Sequence, residues 1–153
     1  MKLWRLCREP YAALNGTGAI KFGGRYSSPG HPVVSMASEA GLAVLVTLRY
    51  VLPNFAEAAT NYVLGWTEVD ANPECISEGL SRQATTTYVD HWLEARRSLL
   101  VAIRSNVLPE ADVILLNPLH PDASRVPPLT TRPFSFVECL HKPPMLETYL
   151  DLE

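Results

Sequence analysis

The spacing of apolar residues along the chain predicts several short strands. Apolar and polar residues alternate over residues 2–7 and 61–69, and the stretch FSFVECL at residues 134–140 predicts a final strand in the same way. Three apolar runs, HPVVSM, SLLVAIR and DVILLNP, are typical of buried strands. The segment IKFGGRY at residues 20–26 predicts a second, partly extended stretch that its two glycines interrupt.

Apolar residues at helical spacing predict one helix with particular clarity. Leu45, Leu48 and Leu52 fall at positions i, i+3 and i+7, which lie on one helix face. Ser38 precedes this stretch and is predicted as the N-cap, followed by an acidic residue in the first turn. The helix is expected to end before Pro53, because the residue before a proline avoids the helical conformation.

A second helix is predicted in TTTYVDHWLEARR, residues 85–97, where Tyr88 and Trp92 are one turn apart. Strands therefore come first along the chain, helices lie in the middle, and strands return near the end. This order predicts an α+β fold and not a regular βαβ repeat. A length of 153 residues predicts a single domain over residues 1–153.

Composition narrows the classes of function. The formal net charge of −3 gives no general basic field, so we expect no direct nucleic-acid binding. No stretch approaches the roughly 20 apolar residues of a membrane span, and the N-terminus lacks the apolar region of a signal peptide. The cysteines are far apart without CxxC spacing and no histidines pair as HxxxH, so we expect reduced thiols, no metal site and a cytoplasmic protein.

An arginine in the loop FGGRYSSPG is the first candidate for a ligand-binding residue. The glycines allow the backbone to approach a ligand closely, and Arg25 offers a bidentate fork to phosphate or carboxylate. Tyr26 adds an aromatic face for a flat ring. The alternative is a hairpin loop whose arginine is solvated, and residue types alone favour that alternative.

Two further candidates lie in predicted strands. Arg5, in the middle of LWRLC, must point to solvent or be paired, and solvent is the default. Ser105, at the end of an apolar strand, is expected to bond the local backbone. No Gly-x-Ser-x-Gly elbow surrounds it, which argues against a serine hydrolase. The chain also lacks a P-loop and a GxGxxG motif that opens a helix.

Three stretches together resemble the RES-domain family, the toxins of bacterial toxin–antitoxin pairs named for Arg, Glu and Ser. They are, in order, LWRLC, GTGAIKFGGRYSSPGHPVVSMASEAGLAVL and SLLVAIRSNVLPEADVILLNPLHPD. The resemblance implies an ADP-ribosyltransferase-like fold, with small mixed or antiparallel sheets flanked by helices around a cleft for NAD. It also implies that NAD is the substrate and that an Xre-like helix-turn-helix antitoxin is the partner.

The resemblance also assigns roles by position. Arg5 and Arg25 match the two family arginines near the phosphates and ribose of NAD, and Tyr26 matches the aromatic residue after the second arginine. Gly24 belongs to the same NAD-binding loop, and Ser105 matches the family serine. The resemblance therefore implies that Arg25 and Ser105 are catalytic.

The chain departs from the family pattern at two positions. The family tyrosine falls at Ser35, which we retain as a predicted catalytic and NAD-binding residue, and the family glutamate falls at Val46. A carboxylate near the ribose stabilises the positive charge of the oxocarbenium-like state, and losing it removes a large part of that stabilisation. Valine cannot supply this charge.

Several functions remain open from the sequence. We favour a toxin that uses NAD to mono-ADP-ribosylate a cellular protein, narrowly over an NAD glycohydrolase or phosphorylase whose carboxylate comes from elsewhere, such as Glu39. A degenerate toxin that only binds its antitoxin is a third possibility, and a non-enzymatic module for a phosphate-bearing ligand is a fourth. Convergence of Arg5, Arg25 and Ser105 on one cleft would favour the enzyme.

Overall fold

The structure is a computed structural model, and it describes residues 1–51 and 60–139. These residues form a mixed sheet of seven strands. The spatial order of the strands is β4-β5-β6-β2-β1-β3-β7, and every neighbouring pair is antiparallel except β4 and β5. The strands are β1 (Lys2–Arg8), β2 (Val34–Ala37), β3 (Tyr62–Glu68), β4 (Glu74–Cys75), β5 (Leu100–Arg104), β6 (Asp112–Leu116) and β7 (Thr130–Pro133).

Helices and single 3-10 turns connect these strands. The 3-10 turns span Glu9–Tyr11 and Pro121–Arg125, and the helices are α1 (Thr17–Phe22), α2 (Ala40–Val51), α3 (Arg82–Ala95) and α4 (Phe136–Cys139). Helix α3 begins at Ser81, whose hydroxyl accepts the backbone N–H of Ala84 at 3.1 Å. This bond satisfies one of the free N–H groups that every helix start carries. No helix of the described residues has the length and apolar character to cross a membrane.

Both faces of the sheet are buried. Val101 of β5 and Leu115 of β6 point into the larger core, which they share with Trp92 of α3. Their sequence neighbours Leu100 and Ile114 point into a second core on the opposite face. Successive residues of a strand face opposite sides of a sheet, so strands buried on both sides have continuous apolar runs. This is why β5 and β6 have no apolar–polar alternation.

The structure confirms the predicted α+β class and most of the predicted elements. Strands β1, β2, β3, β5 and β6 and helices α2 and α3 all lie where the apolar patterns placed them. The predicted end of α2 before Pro53 lies outside the described residues, and the single domain over residues 1–153 stays a prediction. Ser38 was predicted to cap α2, but its hydroxyl accepts the backbone N–H of Asp112 at 2.9 Å. This bond connects the start of α2 to β6.

The prediction of a partly extended stretch over residues 20–26 was wrong, because the first three of these residues belong to helix α1. The Asn15 side chain accepts the backbone N–H of Thr17 at 3.1 Å and so supports the helix start. Gly23, with φ of 74°, ends the helix and donates its N–H to the Ala19 carbonyl at 2.8 Å. The glycine that suggested a broken strand is therefore a helix C-cap.

The final strand predicted at residues 134–140 was also wrong. The last strand, β7, comes earlier and pairs with β3 as far as the register Val63↔Pro133, after which Phe134 N–H reaches the Tyr62 carbonyl at 3.0 Å. Strand β3 begins at Tyr62, and Asn61 before it has a left-handed backbone conformation with φ of 61°, so the pairing with β7 ends there and the chain turns into α4. Leu140, the last residue of the predicted strand, lies outside the described residues.

Burial in the second core predicts a stability difference between two leucines. Leu100 is 0% exposed, whereas Leu119 is 46% exposed. We expect Leu100→Ala to lower the free energy of unfolding by about 2–5 kcal/mol, since it leaves a cavity. The matched change Leu119→Ala should alter it by about 0.5 kcal/mol or less. Urea unfolding measures both, and similar losses would contradict the placement of Leu100.

Candidate active site

The site predicted from the sequence lies in two adjoining cavities beside the sheet. The α2 cavity, about 440 Å³, is bounded by α2, β1 and β2, and the α3 cavity, about 430 Å³, by α3 and the end of β5. Both volumes are in the range of small-molecule sites. The two cavities share Arg25, Tyr26 and Arg82 in their walls, and we call them together the cleft.

Arg5 reaches the α2 cavity from the middle of β1. Its guanidinium donates to the backbone carbonyls of Ser35 at 3.2 Å and Tyr11 at 3.3 Å. Among the described residues no carboxylate lies within ion-pair distance of it, and its buried Nε has no hydrogen-bond partner. An unsatisfied buried donor costs stability, and such groups often mark functional positions. The sequence pattern favoured a solvent-exposed side chain as the default for Arg5. Instead the side chain is half-buried and bonded to backbone carbonyls, without a carboxylate to neutralise its charge.

A tight turn presents Arg25 and Tyr26 to both cavities. Gly24 and Ser27 form the bridge that closes this turn, and Gly24 N–H bonds the Ser27 carbonyl at 3.2 Å and its hydroxyl at 3.1 Å. A Cβ on Gly24 would lie 2.5 Å from that hydroxyl, so any other residue there would displace the Ser27 side chain. The Arg25 guanidinium lies 5.3 Å from the Tyr26 ring centroid, within cation–π range.

Helix α3 holds the segment that follows this turn. Asp90 accepts both the backbone N–H of Ser28 at 3.0 Å and its hydroxyl at 2.6 Å. Three residues later, His31 bonds Glu94 at 3.0 Å, and its other ring nitrogen lies 3.2 Å from the Ser28 carbonyl. The bond to Glu94 is the main reason that the pKa of His31 is raised above 6.5. We call these contacts the α3 anchor.

The positions where the chain departs from the family pattern lie in the α2 cavity. Ser35 is exposed on β2 and lines this cavity, and Val46 lines it from α2. Glu39, which the hydrolase hypothesis offered as a replacement carboxylate, is exposed just before α2 and lies in the wall of neither cavity. The described wall of the α2 cavity therefore carries arginines but no carboxylate.

Ser105 lies in the wall of the α3 cavity and is only 3% exposed. Its hydroxyl accepts the backbone N–H groups of Val107 and Leu108, both at 3.2 Å. This confirms the expected bond to the local backbone, and it shapes the turn after β5. Any catalytic role of Ser105 stays a prediction, as do the roles of the other residues that the resemblance assigns.

Two residues of the cleft were missed by sequence reasoning. Arg82, in the first turn of α3, lines both cavities and has no carboxylate within ion-pair distance among the described residues. Glu78 lines the α3 cavity and pairs with Arg104, whose Nε lies 3.2 Å from its Oε1. Neither belongs to a recognisable motif, and only the fold brings them near Arg25.

A polar network at the far end of α3 fixes β4. Glu74 of β4 bonds Tyr88 and Arg97 and accepts the Ser98 hydroxyl at 2.9 Å. Its bond to Arg97 is the main cause that lowers the pKa of the Glu74 carboxyl to about 2. An ionised carboxylate with several donors is a firm attachment. The loop that leaves β4 toward the cleft therefore starts from a fixed point.

The electrostatic character of the cleft suits an anionic ligand. Arg5, Arg25 and Arg82 line the α2 cavity. None of the three has a carboxylate within ion-pair distance among the described residues, so their charges are available for phosphate oxygens. Within residues 1–51 and 60–139, no group of three or more His, Cys, Asp or Glu side chains is arranged to hold a metal ion. Apart from the carboxylate of Glu78 in the α3 cavity, the described functional groups of the cleft are arginine, hydroxyl and aromatic groups.

Comparison with known protein families shows which family the chain belongs to. A family model described as RES domain matches residues 2–137, nearly the whole chain. The chain belongs to the RES domain family. This confirms the resemblance seen in the sequence, and it places Arg5, Arg25 and Ser105 inside the RES domain.

Named relatives of this RES protein are toxins. It is 30% identical to a Toxin Res from Photorhabdus laumondii, over 80% of this chain and 85% of that one. It is also 30% identical to a protein from a Sphingobium species named Prs ADP-ribosylating toxin, over 80% of this chain and 86% of that one.

A solved structure shows the same fold. It is the crystal structure of the M. tuberculosis MbcT–MbcA toxin–antitoxin complex, matched with a TM-score of 0.62 and 19% identity over 86% of this chain and 81% of that one. The shared fold confirms the α+β architecture that the sequence predicted.

The α3 anchor generates a prediction about pH. Glu94 raises the pKa of His31 in the folded chain, so contacts of the charged imidazole stabilise the fold below pH 6.5 and are lost as the pH rises through the raised value. We expect Glu94→Gln to lower the pKa of His31, measured by an NMR titration of its ring protons. The control Glu68→Gln should leave that pKa unchanged. An unchanged value in Glu94→Gln would contradict the anchor.

Proposed function

We propose that this RES protein is the toxin of a toxin–antitoxin pair and that it uses NAD to mono-ADP-ribosylate a cellular protein. The observation that carries the proposal is the meeting of Arg5 and Arg25 in the wall of one cavity, each without a carboxylate partner among the described residues. Membership of the RES domain family and the name of the Sphingobium relative support it.

The two arginines bind the pyrophosphate of NAD. Phosphate oxygens accept the strongest hydrogen bonds from guanidinium groups, and two arginines match the charge of a pyrophosphate. The Arg5 guanidinium is oriented by two carbonyls, and Arg25 is presented by the turn that Gly24 closes. Little order therefore has to be imposed on either side chain when the ligand binds, which favours affinity.

The remaining predicted residues shape the rest of the NAD site. Tyr26 lies in the wall between the two cavities and offers its ring to a flat part of the ligand. Ser35 offers a hydroxyl to the α2 cavity, where it can bond a ribose hydroxyl. Ser105 holds the turn after β5 by accepting two backbone N–H groups, and its hydroxyl proton remains available for a catalytic contact in the α3 cavity.

Transfer to a protein fits this cleft better than hydrolysis. The α2 cavity has Val46 where a carboxylate would activate water, and Glu39 does not reach it. A nucleophilic side chain of an acceptor protein needs less activation than water when it is held beside the ribose. One proposed partner is therefore an acceptor protein. The other is an antitoxin of the Xre-like helix-turn-helix class, which the family resemblance implies, and we propose that both bind the toxin in the cytoplasm.

The proposal predicts the fate of NAD that carries a label on its adenylate side. Protein made in a cell-free system and incubated with a lysate should transfer the label to a lysate protein. We expect Arg25→Ala and Arg5→Ala each to lower the transfer rate roughly 10- to 100-fold, by loss of a charged hydrogen bond worth about 1.5–3 kcal/mol. Arg125→Ala, an exposed arginine outside the cleft, is the matched control.

Other outcomes of the same assay separate the alternatives. Label released as free ADP-ribose would show a hydrolase, and unchanged NAD would overturn both enzyme hypotheses. Expression in bacteria gives a second reading, since Arg25→Ala should abolish toxicity while Arg125→Ala should not. Full toxicity of Arg25→Ala would contradict the binding of NAD at this cleft.

A further inference from the structure

The proposed reaction requires a negative group beside the ribose, and the described wall of the α2 cavity contains none. As the bond between nicotinamide and ribose breaks, positive charge develops on the ribose in an oxocarbenium-like state. A fixed negative group beside the ribose stabilises that state more than the ground state and so raises the rate. The described wall of the α2 cavity has no carboxylate, and Val46 is apolar. A negative group must therefore come from another wall of the cleft.

We propose that Glu78 is the catalytic carboxylate of this cleft, an inference that rests on the proposed use of NAD. Among the described residues that line the two cavities, Glu78 is the only one with a carboxyl group. It shares the α3 cavity with Arg25, Tyr26 and Ser105, three residues to which the family resemblance assigns roles.

The strand order explains why Glu78 lies there. Strands β4 and β5 are parallel, with Cys75 opposite Ala102, so their carboxyl ends lie at the same edge of the sheet. The loop that leaves β4 carries Glu78, and the turn that leaves β5 carries Ser105. The bonds of Glu74 to Tyr88 of α3, and to Arg97 and Ser98 just after that helix, fix the start of this loop. Two short parallel strands thus place the carboxylate beside the family serine.

Arg104 orients the Glu78 carboxylate. The described ion pair joins Arg104 Nε to Oε1 at 3.2 Å, which leaves Oε2 without a partner in that pair. Both side chains are largely solvent-exposed, 57% for Arg104 and 69% for Glu78, so the carboxylate projects from the cavity wall and is not packed into the core. A group in this position is accessible to a ligand without rearrangement of the fold.

The charges of the cleft match those of NAD. The pyrophosphate is anionic, whereas the nicotinamide end carries positive charge that moves to the ribose in the transition state. Three arginines line the α2 cavity, which has no carboxylate in its described wall. Three arginines also line the α3 cavity, where Glu78 supplies the one carboxylate among the described residues. A ligand that spans both cavities would therefore place its negative part against arginine and its positive part against Glu78.

The chemical step is balanced with Glu78 as the negative charge that stabilises the ribose. The electron pair of the C–N bond leaves with neutral nicotinamide, and a lone pair of the acceptor forms the new bond to the same ribose carbon. The proton that the acceptor releases passes to solvent. No oxidant, reductant or metal takes part in this step.

Steady-state kinetics of NAD consumption test the inference. We expect Glu78→Gln, which keeps the shape of the side chain, to lower kcat roughly 100- to 1,000-fold with little change in KM for NAD. Glu78→Asp, which keeps the carboxylate on a shorter side chain, should recover part of the rate. Glu110→Gln, an exposed acid outside both cavities, is the matched control and should behave as wild type.

The outcomes distinguish this inference from the proposed function. Wild type that consumes NAD, together with a Glu78→Gln variant of equal kcat, would overturn the role of Glu78 alone. A change confined to KM would also overturn it, because a binding residue does not act selectively on the transition state. Wild type that leaves NAD intact would overturn the proposed function, and the role of Glu78 with it.

Discussion

The attachment of Ser28 to Asp90 determines where the cleft lies. Asp90 accepts two hydrogen bonds from a single residue, and His31 adds a contact to Glu94 one turn further along the same helix. The turn that carries Arg25 and Tyr26 directly precedes this attachment. Because these two residues are in the wall of both cavities, a detached loop would merge or open the cavities and leave Arg25 in solvent.

The sheet supplies the other walls through its strand order. Strand β1 lies between β2 and β3, which brings Arg5 beside Ser35 although thirty residues separate them in the chain. The parallel pair β4 and β5 directs two loops to the cleft from the other side. Helix α3 then connects the two ends, since it anchors the Arg25 loop and also binds β4 through Glu74. A rigid frame of this kind is what preorganised catalytic groups require.

The sequence predicted the fold class, the main strands and helices, and six cleft residues by their resemblance to a family. It did so because apolar periodicity and the order of short motifs are local signals. The error at α1 arose because a helix start supported by Asn15 resembles a turn, and the error at the last strand arose because the length of β7 depends on its partner β3. The position of the Arg5 side chain likewise depends on contacts that the local sequence does not show, because its guanidinium donates to the carbonyls of Ser35 and Tyr11.

Glu78 and Arg82 show why part of a site escapes prediction from one sequence. Each lies more than fifty residues from Arg25, in a polar stretch with no recognisable spacing. Their importance arises only when α3 and the parallel strands bring them to the same cavity as Arg25. In contrast, the turn of Arg25 and Tyr26 is local, and its glycines already indicated close backbone packing.

The central claim is that the arginines of this cleft bind the pyrophosphate of NAD. A crystal structure of the chain with a carbocyclic NAD analogue, in which the nicotinamide bond cannot break, tests it most directly. We expect the pyrophosphate oxygens to lie about 2.7–2.9 Å from guanidinium nitrogens of Arg5 and Arg25. An analogue bound outside the two cavities, or with its pyrophosphate away from both arginines, would contradict the claim.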